Sequence, residues 1–199
     1  LNISGVKYVL QKDETRTGLG PDTLPFPEDS YKLAWQENPW QIYENLNVAP
    51  RLFLTNKYKV AEYKLHVLNI FYDNNFNERK ELVLYEDPKI DQSINLETDL
   101  KLISYTPNKI TIETLANASS LLFISDNYYP GWEVYVDGEN DKILVADYGF
   151  RAVRVPSGKH KVEFAYSPRS FYRGIWVSAF ALLIFVSILI FMKRQRYEV

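Results

Sequence analysis

The chain has no cysteine, only two histidines and a single methionine, Met192. The missing cysteines exclude disulfides and thiolate metal sites. His66 and His160 each lack a second histidine three or four residues away, so helical zinc-ligand spacing is missing too. His66 reads as a surface or packed helix residue and His160 as an ordinary strand residue. No phosphate-binding loop, dinucleotide fingerprint or nucleophile elbow is present. Gly18-Leu19-Gly20 is a lone glycine pair without a strand-helix setting. Excess positive charge is also lacking. Setting aside the five basic and one acidic residues from Arg169 onward leaves 18 basic against 24 acidic, which does not favour nucleic acid. Carboxylate pairs such as Glu86-Asp87 sit beside loops and read as solvated faces. No cofactor and no catalytic constellation is implied.

Long hydrophobic runs are absent with one exception. Gly174 to Met192 reads GIWVSAFALLIFVSILIFM, with Ser178 and Ser187 as its polar interruptions. Nineteen residues at about 1.5 Å rise span roughly 28 Å, close to a bilayer's hydrocarbon thickness of roughly 30 Å. A transmembrane helix is expected over 171–192, followed by a basic tail, 193–199. Lys193, Arg194 and Arg196 place that tail in the cytoplasm by the positive-inside rule, and the large N-terminal part outside. Phe171, Tyr172 and Trp176 suit an aromatic belt at the entry. The connection through Pro168 is short, so the outer domain is expected close to the bilayer.

Upstream, the pattern is mainly β. Strands are expected over Val6–Leu10, Trp40–Leu46, Leu52–Val60 and Glu81–Tyr85, with a loop over 11–30 and a helix over Ala61–Tyr72. Tyr63, Val67, Ile70 and Phe71 fall at helical spacing, and Asn74-Asn75 can end that helix. Residues 88–98 read as a linker. Strands follow over Lys101–Thr106, Lys109–Leu115, Ser120–Ser125, Glu133–Val136, Lys142–Ala146, Arg151–Val155 and His160–Tyr166. Pro107-Asn108, Asp137-Gly138 and Ser157-Gly158 act as turns. Short strands at this spacing predict an antiparallel β-sandwich, jelly-roll-like, with a short helix and one C-terminal transmembrane helix. Residues 1–99 form an N-terminal α+β portion and 100–168 the sandwich portion.

The densest local feature is Ser125 to Trp132, SDNYYPGW. Tyr128, Tyr129 and Trp132 surround a Pro-Gly turn, and Asp126 and Asn127 lie beside them. Such rings can stack on a sugar whose hydroxyls bond the polar pair. They can equally form a packing corner at the end of the sandwich, and Tyr148 and Phe150 can join the same cluster. Asn2-Ile3-Ser4 and Asn117-Ala118-Ser119 match the glycosylation sequon, a short pattern expected by chance.

Several segments resemble the C-terminal region of the bacterial YfhO family. They are Ala49-Pro50-Arg51-Leu52-Phe53-Leu54, Tyr105 to Ile110, Ser125 to Trp132, Val136-Asp137-Gly138, Phe150 to Val153, Pro156 to His160 and the terminal apolar helix. The resemblance implies a polytopic membrane protein similar to GT-C glycosyltransferases, which use lipid-phosphate-linked sugars outside the membrane. The catalytic carboxylate of such enzymes lies far upstream, so no residue here inherits that role. Together with Leu1 as first residue, this leads us to expect a C-terminal piece of a longer bacterial cell-membrane protein. Its partners are then membrane lipid, an upstream transmembrane domain of the same protein, and a lipid-linked sugar or glycan acceptor. Ser178 and Ser187 are expected to face neighbouring helices. A noncatalytic carbohydrate-binding module, with Tyr128, Tyr129 and Trp132 as platform, and a purely structural module are the competing expectations.

Overall fold

The computed structural model describes residues 2, 4–12, 26–73 and 75–196, with side chains as far as Ile188. The Gly18-Leu19-Gly20 pair, Ile3 of the first sequon, Asn74 and the side chains of the basic tail lie outside the described residues.

Burial on one face or on two decides how each strand reads. The core between the two larger sheets takes alternate residues from both: Ile110, Ile112, Val134, Val162 and Phe164 on one side, Leu54, Leu122, Ile124, Val153 and Val155 on the other. The first set belongs to β8 (Lys109–Ala116), β10 (Trp132–Val136) and β14 (Gly158–Tyr166). These form a five-stranded antiparallel sheet, β11-β10-β14-β8-β7, with β7 at Thr98–Thr106 and β11 at Glu139–Asp141. The second set comes from β4 (Leu52–Thr55), β9 (Ser120–Asn127) and β13 (Phe150–Val155). Their sheet runs β4-β9-β13-β12-β6-β5, with β5 at Lys57–Val60, β6 at Glu81–Leu84 and β12 at Leu144–Ala146. Its other face is also buried, by a second cluster containing Leu82, Leu84, Leu121, Phe123 and Ala152. This is why β9 reads SLLFI as a continuous apolar run: Ser120 to Ile124 are all buried. The predicted mainly β sandwich is the observed fold. The six-stranded sheet draws β4, β5 and β6 from before residue 99 and β9, β12 and β13 from after it.

Three elements differ most from the sequence reading, which also lacks the short strand β11. The strand expected over Leu52–Val60 is broken at Asn56 into β4 and β5. Asn56 is buried, and its Nδ2 donates to the carbonyls of Asp91 (3.1 Å) and Ile94 (2.9 Å), so its bonds go to a loop instead of a ladder. β5 then pairs parallel with β6, and α1 (Lys64–Phe71) makes the crossover. α1 is shorter than the expected Ala61–Tyr72, because Ala61 N still donates to Leu84 O at 2.8 Å as part of the sheet. Val67 carries its contact with Ala61 and Val83, while Ile70 and Phe71 pack at the margin.

The third difference is β2 (Tyr31–Glu37), absent from the expected strands although Tyr31, Leu33 and Trp35 alternate with Lys32, Ala34 and Gln36. It pairs with β3 (Trp40–Asn45), and β3 pairs with β1 (Tyr8–Lys12) in a separate three-stranded sheet. A bulge between Leu33 and Trp35 sets Leu33 opposite Tyr43 and Trp35 opposite Ile42. The two apolar residues therefore point to opposite faces although they are two apart. Turn chemistry was easier to read. Asp137 and Gly138, with φ of 52° and 88°, form the two-residue β10–β11 hairpin. Asn117 of the second sequon is held by Asn95 O and Glu97 N at 3.0 Å each.

α2 (Arg169–Arg196) contains the whole expected span Gly174–Met192. Over Arg169–Ile188 it is long and apolar enough to cross a membrane, and none of that stretch is buried in the protein. Ser187 Oγ donates to Leu183 O at 2.8 Å, so its hydroxyl is satisfied within its own helix.

Candidate functional site

Two turns meet at the end of the sandwich nearest α2. The first is Tyr128-Tyr129-Pro130-Gly131, between β9 and β10. Its start is tied by Tyr128 N donating to Gly149 O (2.7 Å), and its end by Ser167 N donating to Gly131 O (2.6 Å). Gly131 has φ of 103°, and a Cβ there would lie 3.0 Å from the Tyr166 ring and 3.1 Å from Pro168 Cα. Only glycine fits that close approach. The second turn is Asp147-Tyr148-Gly149, between β12 and β13. Asp147 and Tyr148 both have positive φ, 48° and 78°. Left-handed backbone is uncommon for a bulky tyrosine and is associated with functional sites.

Between these turns lies an open groove of about 760 Å³. Tyr85, Asn127, Tyr128, Tyr129 and Tyr148 line it, with Lys64 from α1 and the Lys142–Glu86 pair at the rim. Lys142 Nζ and Glu86 Oε2 are 2.5 Å apart. Lys64 Nζ lies 5.4 Å from the Tyr148 ring centroid, a cation–π distance. Tyr128, Tyr129 and Tyr148 are exposed, Tyr129 most of all at 62%. Burial pushes the Tyr85 hydroxyl above its ordinary pKa, with Tyr148 adding to the effect. The groove therefore offers phenols, an amide and one cation beyond the ion pair. Its one carboxylate, Glu86, is in that pair. This chemistry is suited to binding polar, ring-shaped groups.

The sequence-predicted site residues separate into two groups. Asn127, Tyr128 and Tyr129 come together in the groove, joined by Tyr148. Asp126 and Trp132 lie behind it. Asp126 Oδ1 accepts from Arg51 Nη2 at 2.7 Å, while Oδ2 accepts from Arg151 Nη2 at 2.9 Å and from the Tyr105 hydroxyl at 3.0 Å. Arg51 also donates to Tyr105 Oη and stacks 4.4 Å from its ring. Arg151 is 2% exposed and sits 4.1 Å over Trp132 and 5.4 Å from Phe164. Burial pulls the Arg151 pKa down, and Asp126 pushes it back. The hydrogen bond to Asp126 raises that of Arg51. Both Asp126 oxygens and one face of Trp132 are thus occupied by protein. Phe150 packs edge-on to Phe123, away from the groove. Tyr85 and Lys64 were missed, since each reaches the groove from another element 40 or more residues upstream of the SDNYYPGW block; Tyr85-Glu86 at the end of β6 is the only local hint.

The histidines stand apart from the groove. His66 Nδ1 accepts weakly from Glu62 N, at 3.4 Å. His160 Nδ1 lies 2.6 Å from Asp137 Oδ2, and Nε2 lies 3.1 Å from Ser157 O. Both partners are acceptors, so the imidazolium fits, donating at both nitrogens. The Asp137 hydrogen bond, then that to Ser157 O, raises the His160 pKa above 6.5. A raised folded pKa gives stability that is complete below about 6.5 and lost as pH rises through the folded value. His160→Gln should therefore unfold earlier than the parent at pH 5.5 by under about 1 kcal/mol. Thermal unfolding at pH 8.5 should show the difference reduced.

The profile of the family described as "Bacterial membrane protein YfhO" matches residues 67–178, from α1 into the first part of α2. A similar protein is "Uncharacterized protein YfhO" of Bacillus subtilis (strain 168), 24% identical over 94 residues. That stretch is 47% of this chain and 11% of the relative, so the match spans about a ninth of the relative's length. No solved structure matches the chain.

Proposed function

Because this chain belongs to the YfhO family of bacterial membrane proteins, we propose that its sandwich is an extracytoplasmic accessory domain that holds a glycan during sugar transfer to a cell-envelope polymer. The transfer chemistry belongs to the rest of the parent protein, which uses a lipid-linked donor. Asn127, Tyr128, Tyr129 and Tyr148 carry the contact, and α2 is the last membrane helix, with Lys193, Arg194 and Arg196 on the cytoplasmic side.

The observation behind this reading is the groove itself. Three exposed tyrosines and an amide surround about 760 Å³ of open space. Exposed rings in a concave setting are where sugar rings stack, with phenol and amide groups left to bond the hydroxyls. Two rings at about 0.5–1.5 kcal/mol each amount to roughly fivefold to 150-fold in affinity. Tyr128→Ala with Tyr129→Ala in the parent protein is expected to lower the sugar content of envelope polymers while leaving protein level in the membrane unchanged. Normal polymer glycosylation by the double variant would refute the proposal.

A further inference from the structure

The join between sandwich and helix carries a consequence for where the groove lies. β14 ends at Tyr166 and α2 begins at Arg169. The two residues between them are pinned. Ser167 N donates to Gly131 O at 2.6 Å, Tyr166 N to Asn108 O at 2.9 Å and Phe171 N to Pro168 O at 3.0 Å. Trp132 and Tyr166 rings are in contact at 5.4 Å, and Arg169 lies 4.0 Å from Glu133. The helix thus leaves the sandwich as a fixed extension, with the Tyr128–Gly131 turn and the Pro107-Asn108 hairpin at its base.

Lengths then set the depth. Pro168, which Gly131 touches, is six residues before Gly174, where the apolar run begins. Six residues rise about 9 Å along a helix. The headgroup layer on each side of a bilayer is roughly 5–8 Å thick. The turn therefore falls at its outer edge. Side chains agree with that depth. Phe171, Tyr172 and Trp176 are exposed around the helix entry, and Tyr129 and Pro130 are exposed on the turn. Arg169 and Arg173 occupy the start of α2, where no acidic residue balances the helix dipole. Lipid phosphates at this level would supply negative charge there.

We propose that the α2 end of the sandwich is docked on the bilayer, with the Tyr128–Gly131 turn resting on the lipid headgroups and the groove opening at the membrane surface. This rests on the reading of α2 as a membrane span. The absence of cysteine allows single spin labels at Tyr129→Cys, Lys159→Cys and Phe185→Cys in the chain reconstituted into phosphatidylglycerol-containing vesicles. Lys159 lies at the far end of β14, about 23 Å from Tyr166 by strand rise. Collision with a water-soluble nickel chelate should be full at 159, clearly reduced at 129 and absent at 185, where oxygen collision should be highest. A label at 129 as open to the chelate as that at 159, with 185 deep in lipid, overturns the docking alone. A label at 185 open to the chelate overturns the span and the docking together.

Discussion

Asp126→Ala is expected to destabilise the sandwich by about 3–5 kcal/mol, the usual cost of stripping a buried charge of its partner. Arg151 is 2% exposed, and Asp126 is its one carboxylate partner among the described residues. Its Nη1 has no hydrogen-bond partner, so the guanidinium already stands at the edge of what burial tolerates. At about 2–4 °C per kcal/mol for a domain of this size, the loss is on the order of 10 °C in Tm. Arg51→Ala removes the other cationic partner of the same carboxylate, but Arg51 is 55% exposed. That change should cost no more than about 1 kcal/mol. Thermal unfolding of the two variants separates a supporting cluster from a ligand contact. Equal and small shifts would show that Asp126 does not hold Arg151 in place.

Asp147→Asn is expected to flatten the dependence of stability on pH. Asp147 is 1% exposed; its Oδ1 accepts from Val83 N at 2.7 Å, and Oδ2 has no partner. Burial pushes its carboxyl up to about 7, against the Val83 hydrogen bond and with a smaller push from Glu78. A folded pKa above the ordinary value of 3.8 gives stability that is complete below 3.8 and lost as pH rises through about 7. The carboxylate is therefore a burden at pH 8, on the order of 4 kcal/mol for a shift of about three units. Asparagine keeps the acceptor for Val83 N–H and tolerates the left-handed backbone. The variant should be more stable than the parent at pH 8, by a smaller margin at pH 5, and equal to it only near pH 3.8 and below. Asp73, Asp87 and Asp91 have lowered pKa values, chiefly from hydrogen bonds, and weaken the fold only at more acidic pH. Denaturant unfolding at several pH values between 5 and 8 tests this. Parallel curves for parent and variant would show that Asp147 does not titrate in that range.

Much of the fold was legible because the relevant physics is local. The 3.6-residue helix and its lipid-length apolar run need only Gly174 to Met192. Two-residue hairpins announce themselves as Pro107-Asn108 and Asp137-Gly138, and β9 reveals two-sided burial by its unbroken apolar run. What escaped depends on distant partners. Asn56 breaks a strand because the 91–94 loop takes its amide. β2 alternates in sequence, but it is bulged and largely exposed, so neither face marks a core. The same division runs through the site. Asn127, Tyr128 and Tyr129 are neighbours in sequence and in the groove. Asp126 and Trp132 look identical to them in a string of letters. Arg51 and Arg151 claim both, and those arginines are brought there only by the pairing of β4 and β13 with β9.

A titration of the isotope-labelled chain in nanodiscs with a soluble cell-envelope glycan, followed by NMR, puts the groove itself to the test. Ring resonances of Tyr128, Tyr129 and Tyr148 should shift together and saturably, while the indole of Trp132 and the guanidinium of Arg151 stay in place. No change at the three tyrosines at saturating glycan, or a response centred on Trp132, would contradict a glycan site in this groove.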